Sequence, residues 1–147
     1  MTDFTVGIEE EFFISHARSF APATRIPKDL ARAFLRIKHG KVTTEMLQAQ
    51  IEVNTGVCSN FDQAREQLVR LRKMLHRTAI DQGYVISASG THPMALWFEQ
   101  TLTNKARYRR IQDDLQIVGR RNVLCGMHVH VAVPEPDRRI TLMLPSL

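Results

Sequence analysis

A chain of 147 residues is long enough for one ordinary domain with a real core. Its 44 % hydrophobic and 24 % charged residues are a globular composition, and no apolar run approaches the ~18–20 residues of a membrane helix. Lys and Arg total 20 against 15 for Asp and Glu, a net charge of +5, yet the basic residues are spread out. The densest run, Arg65 to Arg77, has no interleaved aromatics to stack on bases, which argues against a nucleic-acid partner. The opening Met1-Thr2-Asp3 has no basic region leading into an apolar stretch, so no secretory signal is expected. Cys58 and Cys125 are too few for a disulfide framework. A cytoplasmic protein with two small buried thiols is the expectation.

Phe4 to Ile14 reads as the first strand, rich in β-branched and aromatic residues. Alternation puts Gly7, Glu9 and Glu11 on one face and Ile8, Glu10 and Phe12 on the other. Ser15 to Arg25 is a polar loop. Pro27 starts a helix whose apolar stripe is Leu30, Ala31, Phe34, Leu35 and Ile37, with Gly40 as the stop. From Glu45 to Thr55 the period changes to two: Leu47, Ala49, Ile51 and Val53 alternate with Gln48, Gln50, Glu52 and Asn54. Asn60 caps a long amphipathic helix carrying Phe61, Ala64, Leu68, Leu71 and Leu75, which Gly83 ends. Tyr84 to Ser89 is a short strand, and Gly90-Thr91-His92-Pro93 a turn. Asn104 precedes a helix from about Lys105 to Val118, with Tyr108, Ile111, Leu115 and Val118 predicted inward. Leu124 to Val133 is the last strand, with His128 and His130 on one face and Met127, Val129 and Val131 on the other. A final helix begins near Asp137 and is stopped by Pro145. Strands and helices in this mixed order suit α+β: the four strands in one largely antiparallel sheet, the Phe61 helix on its apolar face.

Three of the four strands carry metal-type ligands on a polar face: Glu9 and Glu11, then Glu52, then His128 and His130. Carboxylates two apart on a strand lie roughly 6.5–7 Å apart at Cα and repel unless a cation or water intervenes. Oxygen ligands of this kind suit Mg²⁺ or Mn²⁺. Zinc would call for Cys and His at useful spacing, which Cys58 and Cys125 lack. A Gly-rich phosphate loop, a dinucleotide fingerprint and a Gly-x-Ser-x-Gly elbow are all absent from the sequence. The plain alternative for the first strand is a solvated edge whose three glutamates deter aggregation.

Five stretches in order carry a resemblance. They are Gly7-Ile8-Glu9-Glu10-Glu11-Phe12, Ile51-Glu52-Val53-Asn54-Thr55-Gly56-Val57-Cys58, Gly90-Thr91-His92-Pro93 with Trp97, Arg107-Tyr108, and Gly126-Met127-His128-Val129-His130-Val131. Together they resemble the bacterial glutamate–cysteine ligase-like carboxylate–amine ligases. The resemblance implies a fold related to glutamine synthetase, with helices packed on one side of an antiparallel sheet. It implies an ATP- and Mg²⁺-dependent ligase that activates a carboxylate, in the type reaction that of glutamate, as an acyl phosphate and joins it to an amine. By position it makes Glu9, Glu11, Glu45, Glu52 and His128 metal ligands. It places Thr91, His92, Arg107 and Tyr108 near the substrate, and singles out no catalytic acid or base. Members of the family are much longer, so residues 1–147 are expected to be the N-terminal portion of a catalytic domain. Such a chain is expected to self-associate through an unpaired sheet edge, with no nucleic-acid or membrane partner. The other reading is a catalytically incomplete nucleotide- or metal-binding domain that acts through self-association or a partner.

Overall fold

The first strand, β1 (Thr5–His16), is the spine of the molecule. The computed structural model describes residues 4–38, 40–121 and 123–143. In chain order the remaining strands and α-helices are α1 (Lys28–Phe34), β2 (Lys41–Thr44), β3 (Gln50–Asn54), α2 (Phe61–Ile80), β4 (Tyr84–Ser87), α3 (Ala106–Arg120), β5 (Met127–Ala132) and α4 (Arg138–Met143). The five strands make one sheet, and every pairing is antiparallel. β3 pairs Glu9 to Phe13 of β1, and β2 pairs β3 beyond it. β5 pairs Thr5 to Glu10, and β4 pairs Phe13 to His16. Glu9 and Glu10 have partners in both β3 and β5, and Phe13 has partners in both β3 and β4. β4 and β5 therefore follow one another along the same edge of β1, opposite β3. The strand of three glutamates is thus central, not a solvated edge.

The two faces of β1 go to two cores. Ile8, Phe12 and Ile14 join Ile51, Val53 and Val42 against the buried stripe of α2, which is Leu68, Leu71, Leu75 and Ala79. Each leucine buried this way contributes about 2 kcal/mol. Asn60 caps α2 as expected, its side chain accepting from the Gln63 N–H at 2.9 Å. Gly83, at φ 81°, turns the chain out of α2 in the left-handed region open to glycine. On the opposite face Phe13 packs with Leu47, Ala49 and Val123, and with Trp97, Leu102 and Cys125 around them.

That second cluster explains a departure from the sequence reading. The stretch Glu45–Thr55 is not one strand. Only Gln50–Asn54 is, and Lys41–Thr44 forms a strand of its own. Between them the Gln50 N–H donates to the Leu47 carbonyl, turning the chain. Leu47 and Ala49 are buried with Phe13, whereas Ile51 and Val53 are buried against α2. The apolar alternation is real, but it serves two different cores. α1 also ends earlier than expected, at Phe34, leaving Leu35 exposed. In α3 Tyr108 is buried as expected, but Leu115 and Val118 are exposed. The helix is interrupted at Gln116, where φ is 49° and ψ −124°, so its apolar stripe does not continue along one face. The Ile111 side chain and Pro145 lie outside the described residues. Met127, Val129 and Val131 on β5 are each about half exposed.

Glycine is required at position 40 by close approach: a Cβ there would sit 2.7 Å from the Asn54 carbonyl oxygen and 2.8 Å from Leu71 Cδ1. The contact ties the entry of β2 to both the sheet and α2. Among the described residues, no helix is long and apolar enough to cross a membrane.

Candidate metal and nucleotide site

Antiparallel register, not sequence proximity, assembles the acidic face. Glu11 of β1 lies directly opposite Glu52 of β3, and Thr43 of β2 lies opposite Glu52 in turn. Glu45 comes in from the turn after β2. Ligand atoms of Glu11, Glu45 and Glu52 all fall within 4.8 Å of one another, and each residue is half-buried. Three carboxylates this close repel, and each also loses hydration. Burial pushes the Glu45 carboxyl above its ordinary value, the Met46 N–H at 2.8 Å opposes that shift, and the charges of Glu52 and Glu11 add to it.

Each carboxylate is also held in place. Glu52 Oε1 accepts from Asn54 Nδ2 at 2.8 Å and from Thr43 Oγ1 at 3.2 Å. Glu11 Oε2 accepts from the Gly126 N–H at 2.9 Å. The Tyr108 hydroxyl, from a residue only 2 % exposed, donates to Glu45 Oε2 at 3.4 Å. A preorganised set of oxygen donors with residual repulsion is what a hard divalent cation relieves.

Glu9 lies one step along the same face, opposite His128. Its Oε2 is 3.9 Å from His128 Nδ1 and 3.2 Å from His130 Nε2. The five residues that the resemblance makes metal ligands thus fall into two neighbouring groups. Glu45 joins Glu11 and Glu52, while Glu9 faces the two imidazoles. Beyond Glu9 a cleft of about 200 Å³ is lined by Gly7, Ile8, Glu9, Asn54, Val57 and His130, among others. Gly7 makes an open floor: a Cβ there would meet nothing within 4 Å.

The four substrate-side residues separate. Arg107 and Tyr108 stand beside the acidic trio, with Arg107 Nη2 donating to the Tyr108 hydroxyl at 3.2 Å. Thr91 is exposed and pairs with Leu124 in an isolated bridge. His92 is buried, with Nε2 3.0 Å from Ser15 Oγ and Nδ1 accepting from the Met94 N–H at 3.2 Å. Its ring lies edge-on to Phe13, at 5.1 Å between centroids. Both ring nitrogens are engaged within the protein, so His92 fastens the turn over the Phe13 cluster.

Burial holds the His92 imidazole below its ordinary value of 6.5. The fold favours the neutral ring, so this contribution is complete above pH 6.5 and is lost as pH falls from there through the folded value. Urea midpoints measured against pH are therefore expected to drop below pH 6.5, and His92→Gln to flatten that part of the profile. Parallel profiles for the two proteins would refute the assignment.

Sequence reading passed over Thr43, Asn54 and Lys105. Asn54 was visible as the next polar position after Glu52 on the same strand face. Thr43 was not, because β2 was not separated from β3. His130 reads as a ligand-type residue on the His128 face, although the resemblance makes only His128 a ligand, and it is the closer of the two to Glu9. Of the two thiols, Cys58 is buried and Cys125 half-buried. Burial pushes the Cys125 thiol up to about 11, in keeping with an inert role.

The model of glutamate–cysteine ligase family 2 matches residues 5–146. A protein of Bradyrhizobium sp. (strain ORS 278) with the name "Putative glutamate--cysteine ligase 2" is 46 % identical over 143 residues, covering 97 % of this chain and 35 % of its own length. A protein of the same name from Rhodospirillum rubrum is 46 % identical over 144 residues, covering 95 % of this chain and 37 % of its own. This chain therefore spans a little over a third of those relatives. Among solved structures, the glutamate–cysteine ligase of Francisella tularensis in complex with AMP superposes with a TM-score of 0.69 at 13 % identity, over 99 % of this chain and 30 % of that one. The bifunctional glutathione synthetase of Pasteurella multocida gives 0.67 at 15 % identity, over 97 % and 18 %. At such identities these two likenesses establish the fold, and the family-wide match along the sequence establishes descent. The chain belongs to glutamate–cysteine ligase family 2.

Proposed function

We propose that this chain carries the cation- and nucleotide-binding part of an ATP-dependent carboxylate–amine ligase. The observation that carries the reading is the convergence of Glu11, Glu45 and Glu52 within 4.8 Å on one sheet face. The Glu9–His128–His130 group and an open cleft continue that face. The reaction forms an amide in two steps. A carboxylate oxygen, glutamate's in the type reaction, attacks the γ-phosphorus of ATP and ADP leaves. An amine nitrogen then attacks the acyl carbon and gives up a proton, and phosphate leaves with its electron pair. Both reactants of the first step are anionic, so the barrier is dominated by charge repulsion.

Three carboxylates with fixed hydrogen bonds fit Mg²⁺ or Mn²⁺, which when bound would neutralise phosphate charge. Glu11, Glu45 and Glu52 would hold it, with Glu9 and His128 completing the ligand-bearing face. Asn54 and Thr43 fix the Glu52 carboxylate, and the Gly126 N–H fixes Glu11. The cleft beside Glu9 would take the base and sugar of the nucleotide. Arg107 and Tyr108 would orient an anionic substrate at the other side of the trio, and His92 shapes the turn that bears Thr91.

The cleft assignment has a direct test. Gly7 lies in the middle of a strand and has free space above it, so Gly7→Val leaves the melting temperature unchanged or raises it. The new side chain fills the cleft floor, and ATP affinity measured by calorimetry with Mg²⁺ present is expected to fall about tenfold or more, or ~1.4 kcal/mol. Undiminished ATP binding in a folded Gly7→Val protein would sink the placement. Absence of any Mg²⁺-dependent ATP binding by the wild type would sink the reading as a whole.

A further inference from the structure

Two cations stand behind the acidic trio, joined to it through one buried phenol. The Tyr108 hydroxyl contacts Glu45 on one side. On the other it receives Arg107 Nη2 at 3.2 Å and Lys105 Nζ at 3.5 Å. Both cations also lie over the Tyr108 ring, at 5.1 Å for Lys105 and 4.9 Å for Arg107. Lys105 Nζ is further tied to the Thr44 carbonyl at 2.8 Å, one residue before Glu45. Neither cation has a carboxylate in contact: among the described residues, neither Lys105 nor Arg107 makes an ion pair. The field of Glu45 and Glu52 nevertheless reaches Arg107. The Arg107 guanidinium is raised first by its hydrogen bond to Tyr108, and Glu45 and Glu52 add to the shift.

We infer that Lys105 and Arg107 form an anion-binding arm that works only once a divalent cation occupies the trio, so that cation and anion bind in that order. Three carboxylates beside two cations leave the locality net negative, and an incoming phosphate or carboxylate is repelled. A divalent cation on the trio reverses the sign. Lys105 and Arg107 then face outward with spare N–H donors and a favourable field, a fit for a phosphate or carboxylate oxygen. Lys105 is thereby a specificity-determining residue, one that neither the motifs nor the relatives' names assign. The inference rests on the trio being a cation site, as proposed above.

Linkage makes the test quantitative. With inorganic phosphate as the anion probe and Mn²⁺ as the cation, the wild-type chain is expected to bind phosphate only when Mn²⁺ is present. Phosphate should tighten Mn²⁺ by the same factor. Lys105→Gln and Arg107→Gln should each lose that coupling. They should also bind Mn²⁺ more tightly in the absence of phosphate, by about two- to fivefold, because each removes a positive charge near the cation site. A variant that merely damaged the site would bind Mn²⁺ more weakly, so the sign separates the two roles. Looser Mn²⁺ binding in both variants, or phosphate binding equally well without Mn²⁺, would overturn the inference. If wild type and Glu52→Gln both fail to bind Mn²⁺, the cation-site reading fails with it. If wild type binds Mn²⁺, Glu52→Gln does not, and coupling is absent, the inference alone is wrong.

Discussion

Glu11→Gln is expected to abolish the stabilisation that Mg²⁺ gives this protein while leaving the metal-free fold as stable as before, or more so. In the absence of metal, Glu11 stands within 4.8 Å of Glu45 and Glu52, so removing its charge relieves repulsion. The amide oxygen can still accept from the Gly126 N–H that Glu11 Oε2 now accepts from. With metal present, wild type gains free energy by mass action, about 2.7 kcal/mol at a concentration one hundred times Kd. For a chain of this size that is a rise of roughly 5–10 °C in melting temperature. The variant should show little of it. Glu10→Gln is the internal control, because its side chain points to the α2 face and touches none of the trio. Thermal melts of the three proteins with and without Mg²⁺ decide the matter. A metal effect that survives Glu11→Gln but disappears in Glu10→Gln would reverse the facing of β1 and remove the site.

Arg72→Met should be among the most destabilising single changes in the chain, at about 2–3 kcal/mol. Glu10 is 2 % exposed and lies on the apolar side of β1, between Ile8 and Phe12. Its carboxylate is satisfied by Arg72 of α2, through Nε at 2.7 Å to Oε2 and through Nη2 to Oε1. The pairing raises the Arg72 guanidinium above its ordinary value, chiefly through the hydrogen bond. Removing one partner of a buried pair strands the other without compensation, typically at a cost of about 3–5 kcal/mol. The Arg72 side chain is 45 % exposed, so water reaches this pair and brings the cost down to about 2–3 kcal/mol. The double variant Arg72→Met, Glu10→Met replaces both partners with apolar side chains and should recover most of the loss. Urea unfolding of the two single variants and the double closes the cycle. If Arg72→Met unfolds within about 0.5 kcal/mol of wild type, the range of an ordinary surface substitution, the pair is not holding α2 to the sheet.

The two predictions concern successive residues of one strand, and their opposite signs follow from its alternation. That alternation was legible in the sequence. Period two in Gly7 to Phe12 placed Glu9 and Glu11 together and Glu10 apart, because successive Cβ atoms of a strand point to opposite sides whatever surrounds them. The stripe of α2 and its Asn60 cap were legible for the same reason: both are set by spacing within one segment. The Glu-x-Glu, Glu52 and His-x-His positions were also visible as ligand types, and the order of the motifs carried the family.

Partners, by contrast, belong to the tertiary structure. No local pattern says that Glu10 meets Arg72, 62 residues on. Nor does any local pattern say which carboxylates form the trio. That depends on the register Glu11↔Glu52 and on a turn at Leu47–Gln50 that delivers Glu45. The turn was hidden because Leu47, Ala49, Ile51 and Val53 form one unbroken alternation, although the first two are buried beside Phe13 and the last two against α2. Alternation reports that a side chain is buried, not what buries it. His92 shows the same limit, since the resemblance places it near the substrate and only the fold reveals its contacts with Ser15, Met94 and Phe13 within the protein. Local covalent geometry determined which way each side chain faces, and long-range pairing of strands determined what it faces.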